Sequence, residues 1–500
     1  MIYRSPEPDI EIPDVTLSEH VMGGAAARGD HPAIIDSVTG ETTTYAELAS
    51  KVEAVAAALQ AHGIGKGDVV ALVGPNGAEW AITYHAILRA GGVVTPINPL
   101  LTAEEMQRQQ EDSGARLVID DPVKTVGEAE RGRRPEEIEL DPDDLAVLPY
   151  SSGTTGLMKG VMLTHRNLVA NIEQAWTSMP LTEDDTLVGL LPFFHIYGQT
   201  VVLNMGLAKG STIVTVQRFD LEGLLRILEE HQVTWLHIAP PVVLAFATAP
   251  EIEDRDTSRL KMVISGAAPL DADLAQRAEH RIGARIRQGY GMTELSPVSH
   301  KSSLAKAAEI PPGSIGPLIP NTECRLVDPQ TGEDVGEGRE GEIWIRGPQV
   351  MKGYLNNPQA TAETLVGDGW LRTGDIGRVN SDGYFFIVDR LKRMINVSGF
   401  KVWPAEVELM LYAHPAIQEA VIIARKDPRR GETVKAVVVL KPAARGKVDE
   451  AELLRWAKDN MAAYKVPASF EIAETLPKSA TGKIMWRVLQ EQEDARSAGG

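Results

Sequence analysis

Short apolar runs alternate with amphipathic stretches over the first three quarters of the 500-residue chain. The apolar runs at residues 68–73 and 92–97 predict strands, and the stretches at 78–90 and 102–112 predict helices. The same pattern predicts further strands at residues 187–191, 212–216, 235–238 and 262–265. This alternation is typical of an α/β fold, in which helices pack on mostly parallel sheets.

The pattern changes near residue 390. Strands predicted at 342–346 and 384–388 belong to a small β-rich part before that point. The residues after it predict strands at 419–424 and 434–440 and helices at 404–413 and 449–461. We therefore predict a large, multi-layered α/β domain at 1–389 and a small α+β domain of about 110 residues at 390–500. Residues 493–500 are expected to form a short frayed tail.

Composition narrows the classes of protein to which this chain can belong. The formal net charge of −19 argues against a nucleic-acid-binding surface. The single cysteine, Cys324, excludes a disulfide framework, and no Cys/His cluster has the spacing of a zinc site. The sequence contains no signal-peptide pattern and no apolar stretch long enough to span a membrane. These features predict a cytoplasmic protein without a transmembrane segment.

A loop rich in glycine and hydroxyl side chains follows an apolar run at residues 145–148, which predicts a buried strand. Glycines let the backbone approach an anion closely, hydroxyls add donors, and a lysine adds positive charge. The P-loop has four residues between its glycines, whereas only two separate Gly153 from Gly156. We predict a phosphate-binding loop of another type, which uses Ser151, Ser152, Gly153, Thr154, Thr155, Gly156 and Lys159.

This loop resembles the signature loop of the adenylate-forming superfamily, which includes acyl-CoA and aryl-CoA synthetases, luciferases and peptide-synthetase adenylation domains. Members usually carry proline where this chain has Met158. The chain is most similar to the branch of 4-coumarate–CoA ligases and fatty-acyl-CoA synthetases. Further blocks that resemble the family follow in order at residues 192–198, 265–270, 288–294, 369–375, 389–392 and 477–483.

The resemblance implies an acid–CoA ligase that depends on ATP and Mg²⁺. Such an enzyme activates a carboxylic acid as an acyl-adenylate and then forms the acyl-CoA thioester. A hydroxycinnamate-like aryl acid and a medium- or long-chain fatty acid are the substrates expected from this branch. The small C-terminal domain is expected to rotate between the two half-reactions about a hinge near Lys392.

The resemblance also assigns roles in adenylation. Lys483 is expected to bridge the carboxylate and the α-phosphate as the catalytic lysine, and Glu294 to bind Mg²⁺. Stacking on adenine and ordinary core packing both remain open for Tyr290. Besides the loop residues, the predicted ATP and AMP contacts are Ala267, Gln288, Gly289, Tyr290, Thr293, Asp375 and Arg390, of which Asp375 would accept the ribose hydroxyls.

The same comparison predicts the acid and CoA contacts. The acyl group is expected to lie against His195, Tyr197, Ala267 and Gly289. CoA is expected to contact Arg218, Ser398 and Gly399, where the missing side chain would let the pantetheine arm pass close to the backbone.

Three alternatives remain open at this stage. The chain could transfer the acyl group to an amine as an amide ligase, because Asn396, Ser398 and Lys401 depart from the plant hydroxycinnamate ligases. It could instead load an acyl carrier protein, or bind an adenylate without catalysis. The oligomeric state, monomer or homodimer, is also open.

Overall fold

The computed structural model describes residues 1–151, 158–252, 255–268, 270–397, 400–427, 431–478 and 484–498, without the side chains of 392, 396, 400, 401, 431, 497 and 498. None of the helices in these ranges has both the length and the apolar character needed to cross a membrane. The α-helices are Leu17–Met22, Tyr45–Ala61, Ala78–Arg89, Ala103–Ser113, Pro122–Glu128, His165–Ser178, Met205–Lys209, Leu221–Glu230, Pro240–Thr248, Ala272–Ile282, Pro358–Thr364, Pro404–Tyr412, Glu450–Asn460 and Trp486–Ala498.

An eight-stranded sheet carries much of the predicted α/β pattern. Its six inner strands are parallel, and an antiparallel strand closes each edge. Parallel neighbours need crossover connections, which helices provide. In spatial order the strands are Val298–Lys301, Ile286–Gly291, Met262–Ser265, Trp235–Ile238, Thr186–Gly189, Thr212–Thr215, Pro32–Asp36 and Thr42–Thr44.

A seven-stranded sheet carries the glycine-rich loop. Four of its strands are parallel, and the strands on either side of the loop, Tyr150–Ser151 and Lys159–Thr164, pair with each other in antiparallel register. This pairing holds Ser151 opposite Lys159. The sheet contains Gly353–Tyr354, Lys159–Thr164, Leu145–Val147, Val93–Ile97, Val69–Val73 and Leu117–Ile119, together with Tyr150–Ser151.

A six-stranded antiparallel sheet forms the β-rich part before residue 390. Its last pair of strands places Asp375 directly opposite Arg390. The sheet contains Tyr3–Arg4, Glu323–Val327, Gly341–Arg346, Trp370–Val379 and Leu365–Val366, with Phe385–Arg390 paired to Trp370–Val379.

The C-terminal residues form a separate five-stranded sheet. Its apolar side chains, such as Val407, Leu411, Ile422 and Val438, pack into a core of their own. The expected fold class, α/β layers followed by a smaller α+β unit, is therefore confirmed. The strands are Phe400–Val402, Ile395–Val397, Gly431–Leu440, Ile417–Asp427 and Ser469–Ala473.

The frayed tail expected at residues 493–500 is wrong for most of its length. Helix Trp486–Ala498 includes these residues up to Ala498. Glu493 is buried and forms an ion pair with Lys435, with 2.7 Å between Oε2 and Nζ. The partner is 58 residues away in the sequence, so local composition did not indicate it.

Candidate functional site

A cavity of about 940 Å³ brings most of the predicted blocks together. It lies beside both sheets of the α/β part, the antiparallel β-rich part and the beginning of the last helix. Among the predicted residues, the cavity is lined by Ser151, Lys159, His195, Tyr197, Ala267, Gly289, Tyr290, Thr293, Glu294 and Arg390.

One end of the cavity is organised around the Glu294 carboxylate. Oε1 of Glu294 accepts hydrogen bonds from Ser151 Oγ at 3.2 Å and Tyr354 OH at 2.8 Å. Glu294 is only 4% exposed, and the Lys159 ammonium lies 4.9 Å from the centre of the Tyr354 ring. Burial and the Glu294 charge raise the pKa of Tyr354, so this hydroxyl keeps its proton and donates. A carboxylate, hydroxyls and an ammonium together suit Mg²⁺ and a polyphosphate.

A second carboxylate, Asp375, lies in the β-rich part next to the cavity. Oδ2 of Asp375 accepts a hydrogen bond from Tyr290 OH at 2.6 Å, and Oδ1 lies 3.0 Å from Arg390 Nε. Burial, and then the Asp375 charge, raise the pKa of Tyr290 well above its usual value. The Asp375 charge also raises the pKa of Arg390. The hydroxyl of Tyr290 is therefore used by the protein itself, while its ring lines the cavity.

Asp375→Asn is expected to weaken ATP binding and also to lower the free energy of unfolding by about 1–3 kcal/mol. Asp375 is only 4% exposed, and its neutral replacement would leave the Arg390 guanidinium without its carboxylate. Titration with ATP and denaturant unfolding measure the two effects. Asp382→Asn, in an exposed turn, is the matched control. ATP affinity equal to that of wild type would show that Asp375 only holds the β-rich part together.

An aromatic segment forms the opposite wall. Tyr197 and His195 both line the cavity, and the backbone N–H of Tyr197 donates to His195 Nδ1 at 3.2 Å. A β-carbon built on Gly266 would lie 2.6 Å from the Tyr197 ring, so only glycine permits this approach. The next residue, Ala267, has a φ of +68°, in the left-handed region that non-glycine residues rarely adopt. This close approach brings Tyr197 and Ala267, which are 70 residues apart in the sequence, to the same part of the cavity.

Asn76 positions this aromatic segment, although the sequence did not single it out. Its side-chain amide donates to the carbonyls of Gly189 at 2.8 Å and Leu191 at 2.9 Å. Its carbonyl oxygen accepts from the backbone N–H of Phe193 at 2.8 Å. A buried side chain with these three hydrogen bonds fixes the turn that leads from strand Thr186–Gly189 to Tyr197.

Two predicted contacts lie elsewhere. The Gln288 side chain accepts a hydrogen bond from the Leu270 backbone at 2.9 Å and does not line the cavity. Arg218 is exposed between strand Thr212–Thr215 and helix Leu221–Glu230, also away from the cavity lining. Lys392 lies in the short 3₁₀ helix Leu391–Arg393. The predicted site residues that lie outside the described residues are Ser152, Gly153, Thr154, Thr155, Gly156, Ser398, Gly399 and Lys483.

The C-terminal part also contributes to the cavity. Ile484, Met485 and Trp486 line it, and Ile484 pairs with Lys478 in an antiparallel bridge. Tyr354 and Arg372, in contrast, line the cavity without having been predicted. Tyr354 lies outside the blocks that resemble the family, and Arg372 lies within block 369–375 without having been given a role. Their contacts with Glu294 and Glu342 reveal them.

Two family models match the chain. The model described as "AMP-binding enzyme" matches residues 23–355, and the model described as "AMP-binding enzyme C-terminal domain" matches residues 406–483. The chain belongs to the AMP-binding enzyme family, the adenylate-forming enzymes that its fold and cavity indicate.

The chain is similar over its length to CoA ligases. The chain is 40% identical to 4-coumarate–CoA ligase 3 of Oryza sativa subsp. japonica, over 100% of this chain and 96% of that ligase. It is 36% identical to a long-chain-fatty-acid–CoA ligase of Bacillus subtilis (strain 168), over 97% of this chain and 96% of that ligase.

Solved structures resemble the whole chain. ATP-bound MatB from Rhodopseudomonas palustris has a TM-score of 0.87 at 29% identity, over 96% of this chain and 100% of that protein. The o-succinylbenzoate–CoA synthetase MenE of Bacillus subtilis, solved with ATP and a magnesium ion, has a TM-score of 0.84 at 30% identity. That match covers 95% of this chain and 99% of MenE.

Proposed function

We propose that this chain activates a carboxylic acid with ATP and Mg²⁺ and transfers the acyl group from the adenylate to CoA. It is an AMP-forming acid–CoA ligase, as its full-length similarity to 4-coumarate–CoA and fatty-acid–CoA ligases supports. The main structural support for this function is the cavity. It joins a polar end at Glu294, Ser151 and Lys159 to an aromatic wall at Tyr197. The acid is an aryl acid or a medium- or long-chain aliphatic acid.

Adenylation places the negative charges of a carboxylate and a triphosphate next to each other. Preorganised donors and cations that meet this charge lower the barrier without reorganisation during the reaction. Lys159 supplies an ammonium, and Thr293 a hydroxyl, from the lining of the cavity. Lys483 supplies the charge between carboxylate and α-phosphate, and the position of its near neighbour Ile484 on the cavity lining supports this role.

Mg²⁺ fits the donors of the polar end. This ion prefers oxygen ligands and is commonly held by one or two carboxylates together with substrate phosphates. Glu294 offers Oε2, since both hydrogen bonds from its neighbours go to Oε1. When bound, the ion neutralises phosphate charge. Ser151 and Tyr354 orient the carboxylate that would hold it.

Glu294→Gln is expected to raise the Mg²⁺ concentration needed for half-maximal adenylation by about 10- to 100-fold. A neutral amide keeps the shape but loses the charge that attracts the cation. Tyr354→Phe is the comparison variant, because it removes one hydrogen bond that orients this carboxylate and keeps the charge, so its Mg²⁺ dependence should shift less than that of Glu294→Gln. Pyrophosphate release is followed against free Mg²⁺ at constant MgATP. Equal Mg²⁺ dependence in both variants would assign Glu294 to holding Ser151 and Tyr354 in place.

The second half-reaction needs the adenylate to be exposed to a thiol. A small mobile domain at residues 390–500 with a hinge at Lys392 would withdraw Lys483 and bring Ser398 and Gly399 to the acyl carbon. Arg218 lies on the surface with its charge available to a phosphate of CoA. Lys392, the proposed hinge residue, lies two residues after the end of strand Phe385–Arg390. The strand paired with it contains Asp375.

The decisive test is a panel of carboxylic acids incubated with ATP, Mg²⁺ and one of three acceptors: CoA, an amine or an acyl carrier protein. We expect acid-dependent release of pyrophosphate, AMP and an acyl-CoA thioester. Amide formation without thioester would favour the amide ligase instead. Acylation only of a carrier protein would favour the loading function. The proposed location is the cytoplasm, in agreement with a single, buried cysteine at position 324.

A further inference from the structure

A buried lysine faces the acyl side of the cavity. Lys301 ends strand Val298–Lys301, is 3% exposed and lines the cavity. Its partner across the antiparallel ladder is Gly289. Directly opposed residues project to the same face of a sheet. Because Gly289 has no side chain, Lys301 contributes the side chain of this pair at the place where the acyl group is expected.

The buried ammonium of Lys301 has few polar contacts with the described residues. Lys301 Nζ donates to the carbonyl of Ala175 at 3.4 Å and lies 3.8 Å from Met179 Sδ. No described carboxylate forms an ion pair with it within 4.0 Å. Burial lowers the pKa of Lys301 to about 7. An ammonium carries three donors, and burying it without a counter-charge is unfavourable.

A second buried polar side chain lines the same region. His237 is 1% exposed, and neither of its ring nitrogens has a hydrogen-bond partner among the described residues. Its ring contacts the Tyr197 ring edge-on at 5.8 Å between centroids. Burial and the Lys301 charge hold the pKa of His237 well below its usual value. Buried polar atoms normally have partners, so an imidazole without one beside an ammonium that has no described carboxylate indicates a polar group supplied by the ligand.

We propose that Lys301 and His237 recognise a second carboxylate at the distal end of the acid, so that this ligase prefers dicarboxylic acids. The inference rests on the proposed acid–CoA ligase function, and it narrows the substrate class. A distal carboxylate pairs with the Lys301 ammonium and accepts from an N–H of His237. The surrounding side chains of Val201, Ile264 and Val298 are apolar, which strengthens such a pair.

Other distal groups fit this wall less well. The methyl end of a fatty acid would leave the buried Lys301 without a counter-charge and the buried His237 without a hydrogen bond. A phenol would satisfy one hydrogen bond but would not neutralise the ammonium. A purely structural role is the remaining alternative, since Ala175 lies in the last turn of helix His165–Ser178, where a cation is favourable.

The test compares acids that differ only at the distal end. Cinnamate is paired with 4-carboxycinnamate, and each of several straight-chain monocarboxylates with the α,ω-dicarboxylate of equal length. For wild type, we compare kcat/KM for acid-dependent pyrophosphate release within each pair of acids. In the pair with the more reactive dicarboxylate, this value should be at least about 30-fold higher for the dicarboxylate than for the matching monocarboxylate. Lys301→Met, similar in length and without charge, should lose this preference, because it removes the charge that pairs with the distal carboxylate.

Two controls keep the result interpretable. Lys306→Met changes an exposed lysine of the following segment and should retain the preference. Thermal shift of wild type in MgATP needs no variant, and the dicarboxylate should raise the melting temperature more than its partner does. A preference for monocarboxylates, or one unaffected by Lys301→Met, would overturn the inference and leave the ligase function standing. Absence of pyrophosphate release with every acid would overturn both.

Discussion

Lys483→Ala is expected to lower the rate of acyl-adenylate formation by roughly 10²- to 10³-fold, as does removal of one donor from an oxyanion site. The reason is the charge that develops between the carboxylate and the α-phosphate, which a fixed ammonium neutralises. Single-turnover pyrophosphate release measures this step. Formation of thioester from previously made acyl-adenylate should fall far less, because the lysine is expected to have left the site by then.

The same segment provides a matched control for Lys483. Lys478 lies five positions earlier and forms an ion pair with Glu419 in the C-terminal part. Lys478→Ala removes an equal charge from a half-exposed pair and should change adenylation little. An equal loss of both half-reactions in Lys483→Ala would contradict the assigned role. A loss of similar size in Lys478→Ala would show that the variants act through the placement of the segment.

Gly399→Leu is expected to reduce thioester formation by on the order of 10²-fold while acid-dependent pyrophosphate release continues. The pantetheine arm is expected to pass close to the backbone at this position, so a bulky side chain would displace the thiol from the acyl carbon. ATP and the acid are expected to bind on the cavity wall formed by other residues. Thioester and pyrophosphate are measured in the same reaction, and their ratio reports the second half-reaction alone.

Gly336→Leu is the control for this substitution. A β-carbon built on Gly336 would meet no described atom within 4 Å, and Gly336 has no positive φ, so the backbone there admits a side chain. This variant should keep the wild-type ratio of thioester to pyrophosphate. If Gly399→Leu also kept that ratio, the path of CoA would lie elsewhere. If it lost pyrophosphate release as well, the substitution would have disturbed adenylation.

Local patterns were enough to predict most elements of the fold. The helix predicted at 102–112 is Ala103–Ser113, and its start follows from a capping box. Thr102 Oγ1 accepts from the Glu105 backbone at 3.3 Å, and Glu105 Oε2 accepts from the Thr102 backbone at 2.8 Å. Such signals involve neighbours three residues apart, so they are visible in the sequence. The frayed tail was predicted wrongly for residues 493–498, because the buried Glu493 forms an ion pair with Lys435, far away in the chain.

The blocks that resemble the family indicated the chemistry of the site, and the described members of most blocks line one cavity. Ser151, Tyr197 and Glu294 come from segments more than forty residues apart and meet there. The glycines, hydroxyls and lysine of the first block predicted phosphate binding, and the resemblance to the family implied metal and acyl binding. They did not reveal that Asn76 fixes the aromatic segment or that Tyr354 donates to Glu294.

The sequence by itself determined the class of fold and the adenylate-forming family, because these depend on residue types at short, regular spacing. Apart from the phosphate-binding loop, it predicted the binding residues only through the resemblance of its blocks to that family. Only the tertiary structure showed which of these side chains form hydrogen bonds or ion pairs within the protein and which do not. Tyr290 and Asp375 are 85 residues apart and share a hydrogen bond, while Lys301 lines the cavity without an ion pair to any carboxylate of the described residues. Burial and pairing are properties of the folded surroundings, and they arise from contacts between residues whose separation no local pattern records.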